Sequence, residues 1–120
     1  MAKKMKDLHE KKQHGRKITM LTCYDYPTAI LQDKAGLDVI FVGDSLGTNE
    51  LGYDRETSVT LDDIRHHLKA VRRGVKHAYL LADMPYKTYE NCDMALATAK
   101  DLIFHGADGV KLEGFQEKIV

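Results

Sequence analysis

The chain has 120 residues, of which 43% are apolar, and its 18 Lys and Arg residues balance its 18 Asp and Glu residues. This length is typical of one globular domain, and a net charge of zero argues against a general nucleic-acid-binding or membrane-surface function. The apolar stretches are far shorter than the roughly 20 residues that a membrane-spanning helix needs. Two isolated cysteines, Cys23 and Cys92, are typical of a reducing compartment, so we expect a cytoplasmic protein.

The first 16 residues form a basic N-terminal segment, which we separate from a domain at 17–120. Residues 2–17 carry seven Lys or Arg residues against Asp7 and Glu10. The segment has no apolar stretch of the kind found in signal peptides. It is either a basic interaction arm or, more simply, a solvated helix or frayed tail.

Strand-like and helix-like patterns alternate along the domain. Apolar runs predict strands at 18–23, 39–42, 78–82 and 109–112. Helices are predicted from Pro27 to a stop at Gly36, from 61 to 74, and around 95–103 with a stop at Gly106. Thr60 and Asp63 predict a capping box at the start of the second of these helices. We expect a loop at 43–58 and the beginning of a further helix at 115–120.

A short internal repeat supports an α/β fold. The tripeptides at 36–38 and 106–108 each consist of Gly, an apolar residue and Asp, and each leads into a predicted strand that is followed by an acid. The repeat of roughly 35 residues per βα unit is typical of an α/β barrel or of an open doubly wound sheet.

Three acidic residues follow the ends of three predicted strands. Asp44, Asp83 and Glu113 each come after an apolar run, and the carboxyl ends of parallel strands meet at one edge of a sheet. Any one of these acids could simply cap a helix or loop. Together, without nearby Cys ligands, they indicate a site for a hard cation such as Mg²⁺. Lys111, on the same strand face as Glu113, is well placed to bind an anionic substrate.

A second motif suggests a different chemistry. Residues 43–47 read Gly-Asp-Ser-Leu-Gly, which matches the nucleophile elbow of serine hydrolases and the tetrapeptide of the GDSL esterases. Ser45 would be the nucleophile, but a long loop separates it from the next predicted helix. His66 and His67 lie on that helix, where we expect both to be solvated or bridging, and no His or Cys spacing predicts zinc.

The chain resembles the ketopantoate hydroxymethyltransferase (3-methyl-2-oxobutanoate hydroxymethyltransferase) family, within the phosphoenolpyruvate mutase and isocitrate lyase group of barrels. The resemblance extends in order over nearly all of the chain after residue 16. The matching segments are KITMLTCYDYPTA (17–29), DVIFVGDSLG (38–47), LGYDRETSVTLDDIRHHLKAVRRG (51–74), LADMPYKTY (81–89) and GADGVKLEG (106–114).

The resemblance implies a (β/α)8 TIM barrel, of which this chain holds the N-terminal half, or about the first four βα units. It also implies Mg²⁺-dependent transfer of a one-carbon unit from 5,10-methylenetetrahydrofolate to 3-methyl-2-oxobutanoate, giving ketopantoate for pantothenate synthesis. The partners would be a small 2-keto acid, the folate and further copies of the chain in a homo-oligomer, with no nucleic acid or membrane. An alternative is a catalytically incomplete half-barrel that needs a partner.

The resemblance also assigns roles to individual residues. Asp44, Asp83 and Glu113 correspond to the metal ligands. Asp44, Ser45, Asp83 and Lys111 correspond to the keto-acid site, and Tyr24 to a residue that lines it. The proton-abstracting glutamate belongs to a later barrel strand, beyond Val120. Two departures are the polar residues 48–50, where the family is usually apolar, and Ser58, where proline is common.

Overall fold

The computed structural model describes residues 2–114 and shows four strands that alternate with helices. The strands are β1 (Met20–Thr22), β2 (Val39–Val42), β3 (Tyr79–Asp83) and β4 (Gly109–Lys111). The helices are α1 (Met5–Gln13), α2 (Tyr26–Lys34), α3 (Leu46–Asn49), α4 (Leu61–Gly74) and α5 (Cys92–Phe104). None of these helices is long and apolar enough to cross a membrane. The helix start that we expected at 115–120 lies outside the described residues.

The four strands form one parallel sheet in the order β1-β2-β3-β4, so the predicted α/β fold with successive βα units is confirmed. β1 is shorter than the predicted 18–23. Its amino-terminal neighbour Thr19 donates its N–H and hydroxyl to the carboxylate of Asp38, at 3.0 and 3.1 Å. The ladder between β1 and β2 therefore begins only at Met20 and Val39.

The two faces of the sheet are covered by different helices. On one face, alternate residues of β2 and β3 pack with the apolar side of α4 in the main core; the sheet residues are Ile40, Val42, Leu80 and Ala82. On the opposite face, Leu8 of α1 packs with Val39 and Tyr79 in a smaller cluster. All four residues of β2 are buried, which explains why its apolar run is continuous rather than alternating.

The basic N-terminal segment is folded against the sheet. The ammonium group of Lys11 in α1 donates to both carboxylate oxygens of Asp38, at 2.8 and 2.7 Å. Lys3 donates to the carbonyl oxygen of Leu37 at 3.0 Å, and Leu8 is buried. Two of the segment's positive charges thus bind groups at the start of β2.

The predicted capping box at the start of α4 is confirmed, since Thr60 accepts from the Asp63 N–H and Asp63 accepts from the Thr60 N–H. The prediction of an uninterrupted loop at 43–58 was wrong. This stretch contains α3 and a 3-10 turn at Glu56–Ser58. Four residues are too few to show helical periodicity, so α3 leaves no signal in the sequence.

The three glycines at the predicted helix ends have two different structural roles. Gly36 and Gly106 have φ angles of +82° and +115°, a region that favours glycine, so both stops are confirmed. Gly74 is the last residue of α4 but does not have a positive φ angle, and its lack of a side chain matters for helix packing instead. A Cβ atom at this position would lie 2.7 Å from the Cβ of Ala29 in α2, so a side chain here would force the two helices apart.

A buried carboxylate joins the end of α2 to the beginning of β3. Asp33 accepts hydrogen bonds from the backbone N–H groups of His77 and Ala78, at 2.9 and 2.8 Å, and from Nδ1 of His77 at 2.8 Å. Burial by itself would raise the pKa of Asp33, but these hydrogen bonds outweigh it and lower the pKa from 3.8 to about 2. The folded state therefore favours the charged form.

We expect Asp33→Asn to lower the free energy of unfolding by about 2 kcal/mol at pH 7, because a lowered pKa is equivalent to stabilisation of the charged form. This contribution is complete above the unfolded pKa of 3.8 and is lost as pH falls toward the folded pKa of about 2. Urea unfolding at pH 7 and pH 3 tests this, with the destabilisation expected to shrink by about half at the lower pH. An equal loss of unfolding free energy at both pH values would contradict the role of the charged Asp33 carboxylate. Asp54→Asn, at an exposed position, is the control.

Candidate active site

Asp44, Asp83 and Glu113 lie at the carboxyl-terminal edge of the sheet. Asp44 is the second residue after β2, Glu113 is the second residue after β4, and Asp83 is the last residue of β3 rather than the first residue beyond it. The backbone N–H of Asp44 donates to one carboxylate oxygen of Asp83 at 2.8 Å. The structure therefore brings the turn after β2 directly against the end of β3.

Lys111 connects two of these acids. Its ammonium group donates to Asp83 at 2.8 Å and to Glu113 at 2.6 Å, and it lies 5.3 Å from the centre of the Phe41 ring. Burial lowers the pKa of Lys111, but the hydrogen bonds to Asp83 and Glu113 outweigh this effect and raise it. The hydrogen bond from Lys111 also lowers the pKa of Glu113. Lys111 and Glu113 are thus a charged pair at neutral pH.

The carboxylate of Asp44 experiences an excess of negative charge. Its pKa is raised, first by burial and then by the charge of Asp83, with Lys111 offsetting only part of the effect. Within residues 2–114, no side chain donates a hydrogen bond to this carboxylate. An additional cation near Asp44 and Asp83 would therefore be stabilised.

The acids do not form a ready-made metal cage. Across the described part of the chain, no group of three or more His, Cys, Asp or Glu side chains is arranged to hold an ion. Instead, the ammonium group of Lys111 lies within hydrogen-bond distance of both Asp83 and Glu113. The donors are nevertheless all carboxylate oxygens, which is the donor set that Mg²⁺ prefers. In donor chemistry and charge, the residues fit a hard divalent cation.

Ser45 is held by Tyr24, which in turn contacts Asn49. Its hydroxyl oxygen lies 2.6 Å from the hydroxyl oxygen of Tyr24, in the loop after β1. The side-chain amide of Asn49, the last residue of α3, donates to the same Tyr24 oxygen at 3.3 Å. Although Ser45 precedes α3, its side chain makes no capping hydrogen bond. Its hydroxyl is therefore paired with Tyr24 and not with the backbone of the helix.

The serine-esterase alternative requires a histidine beside Ser45. Among residues 2–114, the side-chain partner of the Ser45 hydroxyl is Tyr24, and no histidine reaches it. His67 instead donates from Nδ1 to the backbone carbonyl of Tyr24 at 2.7 Å. The expectation that His67 is solvated or bridging is confirmed in its second form, because this half-buried side chain links α4 to the loop after β1. His66 is exposed, as expected.

The contacts of two residues in this region were not predicted from the sequence. Asn49 lies in the stretch that we expected to be a loop, and nothing in its surroundings marks it as a partner of Tyr24. His67 was expected to be solvated or bridging, but the amphipathic pattern of α4 does not indicate that its partner is Tyr24. Neither contact is local, because they span 25 and 43 residues of the chain.

Comparisons with known sequences find a matching family and similar relatives. The model of a family described as ketopantoate hydroxymethyltransferase matches residues 2–120. A 3-methyl-2-oxobutanoate hydroxymethyltransferase of Acetivibrio thermocellus is 53% identical over 112 residues, covering 92% of this chain and 40% of the relative. The enzyme of that name from Thermus thermophilus is 48% identical, covering 98% of this chain and 44% of the relative. The chain thus spans about two fifths of the length of these relatives.

Solved structures show the same fold. The phosphoenolpyruvate phosphomutase of Streptomyces platensis subsp. rosaceus matches with a TM-score of 0.75 at 15% identity, covering 98% of this chain and 40% of that one. A phosphonopyruvate hydrolase in complex with oxalate and Mg²⁺ matches with a TM-score of 0.72 at 15% identity, covering 96% of this chain and 42% of that one. Such identities show the fold alone. They confirm the predicted TIM-barrel class, of which four successive strands are described here.

Proposed function

Because the chain belongs to the ketopantoate hydroxymethyltransferase family, we propose that it supplies the metal- and keto-acid-binding part of an enzyme that makes ketopantoate. The substrate would be 3-methyl-2-oxobutanoate, and 5,10-methylenetetrahydrofolate would donate the one-carbon unit. The observation that carries the proposal is the contact network of Asp44, Asp83, Lys111 and Glu113 at one edge of the sheet. The role of 5,10-methylenetetrahydrofolate as the one-carbon donor is inferred from the family resemblance.

We assign the metal site to Asp44, Asp83 and Glu113, for which Mg²⁺ is the expected ion. When bound, the ion would supply Lewis-acid stabilisation of the negative charge that develops on the keto acid once its C3 proton leaves. The raised pKa of Asp44 supports this assignment, since burial and the neighbouring Asp83 charge both disfavour the charged carboxylate, and a bound cation would offset them. The oxalate and Mg²⁺ in the phosphonopyruvate hydrolase structure support it by analogy, because oxalate has adjacent oxygens like a 2-keto acid.

We assign the substrate carboxylate to Ser45 and Lys111. Two aspartates and a dication roughly cancel in charge, so a bound anion needs a further cation nearby. Lys111 is the cation within reach of Asp83, and its raised pKa keeps it charged. Ser45, adjacent to Asp44, adds a hydroxyl donor. The lysine would exchange part of its contact with Asp83 and Glu113 for contact with the substrate.

An incomplete half-barrel is the second candidate, and the edge of the sheet favours it. Met20 and Leu21 of β1 are 51% and 54% exposed on the outermost strand, and an open strand edge normally requires cover. The resemblance also places the proton-abstracting glutamate on a later strand, so we assign no catalytic base within this chain. In this alternative the chain binds metal and keto acid, while turnover requires a complementing barrel segment.

We expect the purified 120-residue chain to bind 3-methyl-2-oxobutanoate in the presence of Mg²⁺ and not in the presence of EDTA. Titration calorimetry tests binding, and mass spectrometry after addition of 5,10-methylenetetrahydrofolate tests for ketopantoate. The matched ligand is 3-methylbutanoate, which lacks the 2-keto oxygen and should bind more weakly. Binding with turnover supports the enzyme, and binding without turnover supports the half-barrel alternative. If Mg²⁺ has no effect on keto-acid binding, the proposed function is wrong.

A further inference from the structure

We propose that Asn49 is a positioning residue that acts through Tyr24 to aim the hydroxyl proton of Ser45 at an anionic ligand. This inference rests on the proposed function, because the anion is the carboxylate of the keto acid. The three side chains form a continuous chain of hydrogen bonds. Asn49 lies 3.3 Å from the Tyr24 hydroxyl oxygen, which lies 2.6 Å from the Ser45 hydroxyl oxygen.

The direction proposed for this chain of hydrogen bonds starts from its first member. The amide nitrogen of Asn49 can only donate, so the oxygen of Tyr24 accepts. Tyr24 has one proton of its own. Either hydroxyl can donate across the 2.6 Å contact with Ser45, and in the proposed arrangement Tyr24 donates to the serine oxygen. The proton of Ser45 is then free to donate to a further group. Hydrogen bonds that run in one direction also polarise one another, which makes the last hydroxyl a better donor to an anion.

The hydrogen-bonded chain of Asn49, Tyr24 and Ser45 is called the relay below. Neighbouring side chains hold its members in place. His67 of α4 donates to the backbone carbonyl of Tyr24 at 2.7 Å. Thr48 anchors α3, since its hydroxyl lies 3.3 Å from the carbonyl of Ser45 and donates to Glu56 at 3.0 Å. Asn49 therefore reaches Tyr24 from a fixed turn of helix and not from a free loop.

The test is calorimetric titration of 3-methyl-2-oxobutanoate into the 120-residue chain in the presence of Mg²⁺. Asn49→Val removes the donor and should weaken binding about five- to tenfold, the effect of one neutral hydrogen bond. Asn49→Asp keeps the size but accepts the tyrosine proton, so Ser45 must donate to Tyr24 and binding should weaken further. Asn49 is exposed, so both variants should fold. Glu50→Gln, at the neighbouring exposed position, should leave binding unchanged.

Repeating the Asn49 substitutions in a Tyr24→Phe background separates the relay from simpler effects. If Asn49 acts through Tyr24, both substitutions should lose their effect there. A loss that persists in that background, as the added charge of Asp could produce, overturns the relay. Asn49 variants that bind the keto acid as tightly as the wild-type chain would also overturn the relay. If the wild-type chain shows no Mg²⁺-dependent binding at all, the proposed function fails and the relay fails with it, so the two failures are distinguishable.

Discussion

Asp83→Asn is expected to weaken Mg²⁺-dependent binding of 3-methyl-2-oxobutanoate by about a hundredfold or more, because breaking a buried charged contact costs roughly 3 kcal/mol or more. Asp83 is only 3% exposed. Its two oxygens accept from the backbone of Asp44 and from Lys111, both at 2.8 Å. The amide would lose the charge that attracts the cation and would leave Lys111 with Glu113 as its remaining acidic partner.

The matched control is Asp38→Asn. Asp38 is also a buried aspartate paired with a lysine, at 2.7 Å from Lys11, but it lies at the opposite edge of the sheet. Its substitution should reduce stability and leave the dissociation constant of the keto acid unchanged. Calorimetry on both variants, with thermal unfolding alongside, makes the comparison. An equal loss of binding in the two variants would mean that Asp83 supports the fold and not the site.

Leu80→Ala is expected to lower the free energy of unfolding by about 3 to 4 kcal/mol, the usual cost of a cavity in a core that relaxes little. Leu80 is fully buried in the central part of the sheet, in the cluster that includes Ile64 and Leu68 of α4. The neighbouring Leu81 lies on the other face of the same strand and is only partly buried.

Leu81→Ala is the matched control for this stability effect. It removes the same atoms one residue away, and we expect it to cost less than half as much, about 1 to 2 kcal/mol, because the side chain is already partly solvated. Urea unfolding of both variants gives the two differences. Similar losses for Leu80 and Leu81 would contradict the assignment of the α4-facing side as the main core.

The sequence alone predicted the elements whose signals are local. The apolar runs predicted all four strands to within two residues at each end. The start of α4 followed from the capping pair of Thr60 and Asp63, and the ends of α2 and α5 followed from Gly36 and Gly106. These signals are readable because a capping hydrogen bond or a left-handed residue involves only a few neighbouring positions.

The sequence also predicted which edge of the sheet carries the acids. Parallel strands that each end in an acid must present those acids together, and the structure places Asp83 against the backbone of Asp44 and Lys111 against Glu113. The roles of Asp44, Asp83 and Glu113 as metal ligands remain predictions, which the Asp83 variant tests directly.

Only the tertiary structure decided the partners of the side chains around that edge. The ammonium group of Lys111 binds Asp83 across the ladder as well as Glu113 on its own strand. Tyr24 meets Ser45 and Asn49 because β1 and β2 are adjacent, so the segments that follow these two strands lie side by side. Such contacts depend on how strands and loops that are far apart in the chain pack together. The residues next to a side chain in the sequence do not indicate these distant partners. The sequence by itself therefore determined the fold class and the edge that bears the acids, and the packing of distant segments determined the hydrogen bonds that give this edge its chemistry.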